Sequence, residues 1–251
     1  MAIDDQIKSV GDAWLLSQKQ VVFTGAGIST ESGIPDFRSK GGLWEKYQPI
    51  YYDEFMSSKE ARIEYWRRKA DLYPNLVAAQ PNAAHHAIAK LHEKGLVEAV
   101  VTQNIDGLHQ LAGVPDDKVI ELHGNTMRVR CMSCDKLESI HDVQQRIEAG
   151  DSAPECTCGG YLKPDTISFG QAMPMEETNK AVSLCGSCDF LLVIGSTLLV
   201  QPASLLPGYA KQNGAYLAMI NLSETPYDRE CDVKIEEKAG KVMNALLEQI
   251  P

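Results

Sequence analysis

Four cysteines in two close pairs are the residues of this sequence whose spacing points most directly to chemistry. Cys131 and Cys134 are separated by two residues, and Cys156 and Cys158 by one. Four thiolates arranged in pairs are the ligand set of a tetrahedral structural zinc site. A catalytic zinc site is a poorer match, because no histidine accompanies the four thiols. We therefore predict that these four cysteines bind one structural Zn²⁺ ion.

The other three cysteines are not expected to bind a metal ion. The chain has seven cysteines in total, and an odd number argues against a disulfide framework. Cys185 and Cys188 form a rival pair, but they lie in a predicted helix just before a strand that starts at Phe190. We expect these two residues and Cys231 to behave as small buried apolar side chains.

A glycine-containing turn follows the first predicted strand, Gln20–Thr24. Gly25 and Gly27 would let backbone N–H groups come close to a pyrophosphate, as in dinucleotide-binding folds. The third glycine of the usual motif is replaced by Thr30, and no convincing acidic residue ends a second strand about 20 residues further on. A simple tight turn explains this motif alone about as well as a phosphate site does.

The residues that follow the turn favour the phosphate interpretation. Asp36, Phe37 and Arg38 place a carboxylate, an aromatic ring and a guanidinium group beside it. Arg38 is suited to pair with a phosphate, and Phe37 is suited to close off the nicotinamide end of a bound dinucleotide.

Polar residues also follow four later strands of the predicted sheet. His123 comes directly after the strand Lys118–Leu122 and is the best general-base candidate, because histidine titrates near neutrality, although a single histidine is more often structural. The carboxyl ends of parallel strands line one crevice, so we expect these clusters to converge with the glycine turn on one ligand. The other three clusters are Gln103-Asn104-Ile105-Asp106 after Leu96–Thr102, Gly195-Ser196-Thr197 after the strand Phe190–Gly195, and Asn221-Leu222-Ser223 after Ala215–Ile220.

The apolar strands alternate with stretches of helical periodicity. This alternation predicts an α/β fold with a Rossmann-like parallel sheet that is covered on both faces. Helices are predicted at Ala83–Lys94 and Pro202–Gln212. A C-terminal amphipathic helix is predicted from the helical spacing of Ala239, Val242, Met243, Leu246, Leu247 and Ile250.

Several segments of the chain resemble the motifs of the sirtuin family and occur in that family's order. They are Gly25-Ala26-Gly27-Ile28-Ser29, Gly33-Ile34-Pro35-Asp36-Phe37-Arg38, Thr102-Gln103-Asn104-Ile105-Asp106, His123-Gly124 and Gly195-Ser196-Thr197-Leu198. With the cysteine pairs and Asn221, the resemblance extends from about residue 11 to the C terminus. It implies a larger Rossmann-like domain, an inserted small zinc-binding domain, and a cleft between them for NAD and an acyl-lysine peptide.

The resemblance also implies an activity and a set of site residues. The chain would be an NAD-dependent protein deacylase, a transferase that removes acyl groups from lysine side chains and yields nicotinamide and O-acyl-ADP-ribose. His123 would be the catalytic base, with Asn104 and Asp106 beside it. The residues implied to bind NAD are Gly25, Ala26, Gly27, Ser29, Thr30, Asp36, Phe37, Arg38, Gln103, Asn104, Ile105, Asp106, His123, Gly195, Ser196, Thr197, Asn221, Leu222, Ser223 and Ala239.

The residues expected to contact the acyl-lysine substrate come from two segments. Ile167, Phe169 and Gly170 resemble the family's segment that pairs with the substrate backbone as an added strand. Tyr65 and Arg68 share one face of a predicted helix and resemble the pair that some sirtuins use to hold acidic acyl groups. A solvated basic helix explains this stretch at least as well, so the acyl preference stays open.

The domain division follows from the same pattern. We assign residues 1–38, 81–124 and 166–251 to the Rossmann-like domain. Residues 39–80 form a helical and loop insertion near the cofactor and the acyl pocket, and residues 125–165 form the zinc-binding module.

Composition limits the other classes of function. A formal net charge of −10 argues against a nucleic-acid binder. No apolar run is long enough to span a membrane and no signal pattern is visible, so a cytoplasmic location is expected. Two alternatives remain, a protein ADP-ribosyltransferase that uses NAD and a non-catalytic NAD-binding or zinc-stabilised interaction module. The sequence leaves the oligomeric state open.

Overall fold

A six-stranded parallel sheet forms the centre of the molecule, which the computed structural model describes over residues 2–250. The strands within the described residues are β1 (Gln20–Thr24), β2 (Ala99–Thr102), β3 (Val119–Glu121), β4 (Gly124–Cys131), β5 (Leu137–Ser139), β6 (Leu162–Thr166), β7 (Phe190–Ile194), β8 (Tyr216–Ile220) and β9 (Val233–Ile235). The large sheet has the order β3-β2-β1-β7-β8-β9. Every neighbouring pair in it is parallel. The order reverses between β1 and β7, where a doubly wound sheet has its ligand crevice.

Helices cover both faces of this sheet. They are α1 (Ile3–Leu16), α2 (Leu43–Lys46), α3 (Tyr52–Ser57), α4 (Lys59–Ala78), α5 (Ala83–Glu93), α6 (Leu108–Leu111), α7 (Ile140–Glu148), α8 (Met175–Cys185), α9 (Leu206–Gln212) and α10 (Ala239–Gln249). One face packs against α1, α5 and α10, where Trp14, Leu91 and Met243 are fully buried. The other face packs against α8 and α9, where Leu206 is buried. The predicted α/β fold with a parallel sheet is therefore confirmed.

The cysteine at the end of α8 and the one three residues after it confirm one prediction about this second core, although Cys188 lies beyond the helix in which it was predicted. Cys185 and Cys188 are both buried in it, as expected for small apolar side chains, and Cys231 packs against it while half-buried.

Several predicted boundaries differ from the structure for local reasons. The strand predicted from Leu96 begins at Ala99, because the Leu96 N–H donates to the Leu91 carbonyl and the chain is still leaving α5. The helix predicted from Pro202 begins at Leu206, after a 3-10 turn over Ala203–Leu205. The edge strand β9 was not predicted, since its three residues include a lysine and are too few for a recognisable pattern.

A second, antiparallel sheet of three strands lies in the cysteine-rich part of the chain, in the order β5-β4-β6. Helix α7 packs on it through Ile140 and Val143. Trp66 of α4 completes this small core, and its indole N–H donates to the Leu162 carbonyl at 3.1 Å. Helix α4 therefore packs against the cysteine-rich sheet and also lines the cleft described next. In the described part of the chain, no helix is long and apolar enough to cross a membrane.

Candidate active site

A cleft of about 1010 Å³ runs along the carboxyl ends of the parallel strands. The structure brings residues of all five predicted clusters to this cleft, together with the predicted acyl-lysine segments. The predicted residues that line it are Ala26, Gly27, Thr30, Asp36, Phe37, Arg38, Gln103, Asn104, Ile105, His123, Gly195, Ser196, Thr197, Asn221, Leu222, Ser223, Ala239, Tyr65, Arg68, Ile167, Phe169 and Gly170. Gly25, Ser29 and Asp106 lie outside the lining. Gly25 packs closely against Gly195 and Ser196, Ser29 contacts Asn104, and Asp106 contacts Ser29.

The glycines after β1 and β7 are required because the two loops touch through their backbones. The Gly27 N–H donates to the Gly195 carbonyl at 2.8 Å. A Cβ atom on Gly25 would lie 2.8 Å from the Gly195 carbonyl oxygen, and a Cβ atom on Gly195 would lie 2.3 Å from the Ile28 nitrogen. Gly195 also has a φ of +63°, which residues with a side chain rarely adopt. The close contact of the two loops therefore explains why glycines are needed here, in addition to the phosphate binding expected from the sequence.

Hydrogen bonds tie the 3-10 helix after β1 to the loop after β2. The Ser29 hydroxyl donates to Asp106 Oδ2 at 2.7 Å and accepts from the Asn104 side-chain amide at 3.1 Å. Asp106 also accepts the Leu108 N–H at 3.0 Å. Burial is the largest influence on Asp106 and raises its pKa. Asp106 thus orients Ser29, and through it Asn104, without lining the cleft itself.

Gln103 connects two of the predicted clusters. Its side-chain oxygen accepts the Ser196 hydroxyl at 2.7 Å. Ser196 in turn accepts the Leu198 N–H at 3.2 Å, so the hydroxyl that follows β7 has a defined orientation. The loops after β2 and β7 are therefore held together at the point where the strand order reverses.

His123 lines the cleft with a defined tautomer. Its Nδ1 lies 3.0 Å from the Gln103 carbonyl oxygen, and because a carbonyl only accepts, Nδ1 carries the proton and Nε2 keeps its lone pair. Burial lowers the pKa of His123, and the bond to Gln103 opposes that shift. The neutral ring, which is the form that a general base needs, is thus favoured near neutral pH.

Aromatic rings join the predicted cofactor loop to the predicted peptide segment. The ring centroids of Phe37 and Trp44 lie 5.7 Å apart, those of Trp44 and Phe169 5.9 Å, and those of Phe169 and Tyr51 5.9 Å. The Arg38 guanidinium lies 4.1 Å above the Trp44 ring, and burial lowers the pKa of Arg38. Trp44 was missed by the sequence analysis. The only signal for it is a single tryptophan shortly after the Asp36-Phe37-Arg38 motif.

The loop after β8 and the start of α10 form another part of the cleft wall. The Asn221 side-chain amide donates to the Ser223 carbonyl at 2.9 Å. Glu31, which also lines the cleft and was not predicted, accepts the Gly240 N–H at 2.8 Å. A carboxylate at the N terminus of an 11-residue helix is stabilised by the helix dipole, so Glu31 holds the 3-10 helix against α10.

The predicted acyl pair, Tyr65 and Arg68, also lines the cleft. Tyr65 is 9% exposed, and Arg68 pairs with Glu64 at 2.6 Å and donates to the Gln48 carbonyl. The charges of Lys163 and Lys69 lower the pKa of Tyr65 to about 8, although its burial acts in the opposite direction. Because Arg68 already pairs with the Glu64 carboxylate, its charge is matched within the protein.

The four paired cysteines come together in a geometry that fits a metal. Their Sγ atoms all lie within 4.8 Å of one another. The contact between Cys131 and Cys158 is 3.5 Å and that between Cys134 and Cys156 is 3.8 Å. Tetrahedral zinc with bonds of about 2.3 Å places its sulfur ligands about 3.8 Å apart. This is the one such cluster of three or more potential ligands in residues 2–250.

A doubly wound parallel sheet, a glycine loop at its switch point and a small antiparallel sheet define a Rossmann-like protein with a small domain that carries four clustered cysteines. The sequence model of the Sir2 family matches residues 25–202. The chain belongs to this family, the sirtuins, as its motifs predicted.

Known proteins match the chain over nearly its whole length. The NAD-dependent protein deacetylase of Thermodesulfovibrio yellowstonii is 43% identical over 235 residues, which are 93% of this chain and 91% of the relative. The NAD-dependent protein deacylase 2 of Archaeoglobus fulgidus is 39% identical and covers 99% of this chain and 97% of its own length. A solved structure of Sir2 with a p53 peptide and NAD⁺ has a TM-score of 0.87 and 36% identity, covering 97% of this chain and 98% of that one.

Proposed function

We propose that this chain is an NAD-dependent protein-lysine deacylase that yields nicotinamide and O-acyl-ADP-ribose. The observation that carries the proposal is the position of His123. Its tautomer leaves Nε2 free to accept a proton, and it lines the same cleft as the glycine loop and the segment Ile167–Gly170. The names of the relatives support the same activity.

The chain's own residues divide the work of this reaction. NAD, when bound, would supply the ribose that accepts the acyl group as nicotinamide leaves, and one water molecule would be consumed to release the free lysine. His123 acts as the base that removes a proton from a ribose hydroxyl, and its Nδ1–H bond to Gln103 stabilises the ring as it becomes charged. The segment proposed to pair with the peptide is attached to the backbone beside this base, since the Ile167 N–H donates to the His123 backbone carbonyl at 3.0 Å.

In this proposal, the other predicted cofactor residues bind parts of NAD or orient the residues that do. Gln103 and Asn104 bind the ribose and nicotinamide part, and Ser196 and Asn221 bind the adenosine part. Asp106 contributes through Ser29 and Asn104, because its carboxylate is already occupied by protein donors.

The small sheet is proposed as a structural zinc domain. Cys131, Cys134, Cys156 and Cys158 would hold one Zn²⁺, since the backbone N–H groups of Ser133 and Gly160 already point at two of the sulfurs at 3.4 Å. A Cβ atom on Gly160 would lie 2.6 Å from the Cys131 sulfur.

The division of the chain into domain segments 1–38, 39–80, 81–124, 125–165 and 166–251 stays our proposal. The odd number of cysteines, four of which are clustered as for a metal, argues against a disulfide framework and supports our proposal of a cytoplasmic location.

Incubation with NAD and a panel of acylated peptides tests the proposal. The products are weighed by mass spectrometry with acetyl-, propionyl- and succinyl-lysine peptides. Free lysine peptide together with nicotinamide and O-acyl-ADP-ribose is expected. A peptide or protein that gains the mass of ADP-ribose would instead favour the ADP-ribosyltransferase, and no NAD consumption would favour an interaction module. The succinyl peptide decides whether Tyr65 and Arg68 select acidic acyl groups.

A further inference from the structure

A fully buried lysine lies next to the candidate active site and has no role in the reaction proposed above. Lys163 in β6 is 0% exposed. Among residues 2–250 it forms no ion pair with a carboxylate, and Asp165 of the same strand pairs with Arg128 and Arg130 instead. A buried charge without a paired charge is costly, so this lysine requires an explanation.

Backbone carbonyl groups hold the ammonium group of Lys163. Its Nζ donates to the Thr166 carbonyl, and the Pro164 carbonyl oxygen lies 3.5 Å from it. Thr166 is the last residue of β6 and lines the cleft. The side chain of Lys163 therefore reaches to the end of the strand, where the proposed peptide-binding segment Ile167–Gly170 begins.

The peptide unit between Thr166 and Ile167 is hydrogen-bonded at both of its polar groups. Its carbonyl accepts from Lys163, and its N–H donates to the His123 carbonyl at 3.0 Å. A peptide unit is planar, so two bonds on opposite sides of it fix its orientation. Lys163 is therefore connected through a single peptide unit to the backbone of the proposed base.

Helix α4 faces the same ammonium group. The centre of the Tyr65 ring lies 5.8 Å from Lys163 Nζ and 5.5 Å from Lys69 Nζ, and Tyr65 lines the cleft. The next residue, Trp66, donates to the Leu162 carbonyl at 3.1 Å. Two consecutive residues of α4 thus face two consecutive residues of β6, and Lys163 lies between the helix and the end of the strand.

The titration of these side chains reflects their proximity. Burial lowers the pKa of Lys163, a shift that Tyr65 and Asp165 oppose and Lys69 increases. Burial would raise the pKa of Tyr65, but the charges of Lys163 and Lys69 outweigh it and lower that pKa to about 8. The acidity of the Tyr65 phenol is therefore a spectroscopic signature of the buried ammonium group.

We propose that Lys163 is a positioning residue that fixes the peptide unit between Thr166 and Ile167, and with it the segment that pairs with the acyl-lysine peptide. An edge that is already ordered binds an added strand at a lower entropic cost. The fixed peptide unit rests on the geometry alone. Its consequence for peptide binding rests on the proposed function.

Ultraviolet titration of the tyrosines in the full chain tests the contact between Lys163 and Tyr65 without any substrate. One tyrosine of the original protein is expected to ionise near pH 8, and Tyr65→Phe should remove this step. Lys163→Met removes the charge at a similar side-chain length and should move the step to a higher pH. A step that stays in place in Lys163→Met, or no step near pH 8 in the original protein, would overturn the contact.

Amide hydrogen exchange tests the positioning role, also without substrate. The Ile167 N–H should exchange faster in Lys163→Met than in the original protein, because its peptide unit has lost one of two bonds. The amides of β7, in the centre of the large sheet, should keep their protection. Unchanged exchange at Ile167 would overturn the positioning role. If Lys163→Met does not fold, Lys163→Gln, which is shorter and uncharged, takes its place.

Steady-state kinetics test the consequence for the peptide. Lys163→Met is expected to raise KM for an acetyl-lysine peptide about tenfold, the size of one hydrogen bond from a charged donor, and to leave KM for NAD within about twofold. The kcat should change less than the peptide KM, because the His123 ring is held by the Gln103 carbonyl. Lys163→Arg keeps a cation with N–H donors and should restore most of the peptide KM.

A lysine in another strand provides the control. Lys234 in β9 is half-buried and pairs with Asp228 at 2.6 Å. Lys234→Met should lower the unfolding temperature and leave KM for the peptide unchanged. A peptide KM that Lys163→Met does not raise would overturn the role in peptide binding. An original protein that deacylates no peptide would overturn the proposed function, and exchange at Ile167 would still decide the positioning role.

Discussion

The backbone carbonyl of Gln103 accepts the Nδ1 proton of His123 at 3.0 Å. The side chain of the same glutamine accepts the Ser196 hydroxyl at 2.7 Å. One residue thus sets the tautomer of the proposed base and joins the loops on either side of the switch point. Since Nδ1 is occupied, the proton that His123 takes up must go to Nε2.

Replacement of His123 by alanine should remove most of the activity and leave the fold intact. A positioned general base contributes about 10²- to 10⁴-fold to a rate, so a loss of deacylation within this range is expected. The kcat for an acetyl-lysine peptide and the unfolding temperature are measured together. His141→Ala at an exposed position of α7 is the control and should keep its activity. Full turnover by the His123 variant would contradict the role of base.

The pH dependence of activity should reflect the burial of His123. Because burial lowers the pKa of His123 in the folded protein, its ring stays neutral at a lower pH than an ordinary histidine does. As the pH falls, activity is lost only when this ring becomes protonated, so the acidic limb of kcat/KM should lie below about pH 6.5. Recovery of activity on return to neutral pH excludes acid unfolding. An acidic limb above pH 7 would contradict the assignment.

Replacement of Asp106 by asparagine should weaken NAD binding through Ser29. The Ser29 hydroxyl donates to Asp106 Oδ2, and an amide nitrogen at that position could not accept it. The loss of one hydrogen bond to a charged group costs about 1.5–3 kcal/mol, so a rise of about tenfold or more in the Kd for NAD is expected. Asp117→Asn on an exposed turn is the control. Equal Kd values for Asp106→Asn and the original protein would show that this contact is dispensable.

Alanine at Gly195 should be far more harmful than alanine at another glycine with positive φ. Gly195 has a φ of +63° and a Cβ atom there would lie 2.3 Å from the Ile28 nitrogen. Gly214 has a φ of +82° with no atom within 4 Å of the added Cβ, so Gly214→Ala measures the backbone strain alone, about 1–2 kcal/mol. Urea unfolding should show a clearly larger loss for Gly195→Ala, together with lost NAD binding. Similar losses in both variants would mean that the contact between the two loops can relax.

Removal of the metal should unfold the cysteine-rich sheet. Metal analysis of the purified protein is expected to give one zinc ion per chain, and Cys134→Ser should lower this value. Structural zinc contributes about 10–16 kcal/mol of apparent binding energy at pH 7, more than the small core around Trp66 could replace. Amide exchange should show lost protection in β4 and β6 after chelation. Cys231→Ser is the control and should keep its zinc, and a chelated protein with unchanged protection would refute a structural role.

Much of the site could be predicted from the order of residues along the chain. The strand β1 and the clusters that follow four other strands were found because apolar runs bounded by polar residues are local patterns. Parallel strands then bring their carboxyl ends to one edge, so convergence at a cleft follows from topology without knowledge of side-chain positions. The cysteine pairs were equally visible, since ligands of a structural metal are spaced by short turns.

Contacts between distant segments could be decided only by the tertiary structure. No local pattern shows that Gly27 and Gly195 touch, that Trp44 bridges Phe37 and Phe169, or that Trp66 enters the small core. Hydrogen bonding and packing of this kind depend on distances of a few tenths of an ångström between segments that are remote in sequence. Residue types and their spacing therefore defined the family and the chemistry expected of the cleft, while the folded chain decided which side chains hold that chemistry in place.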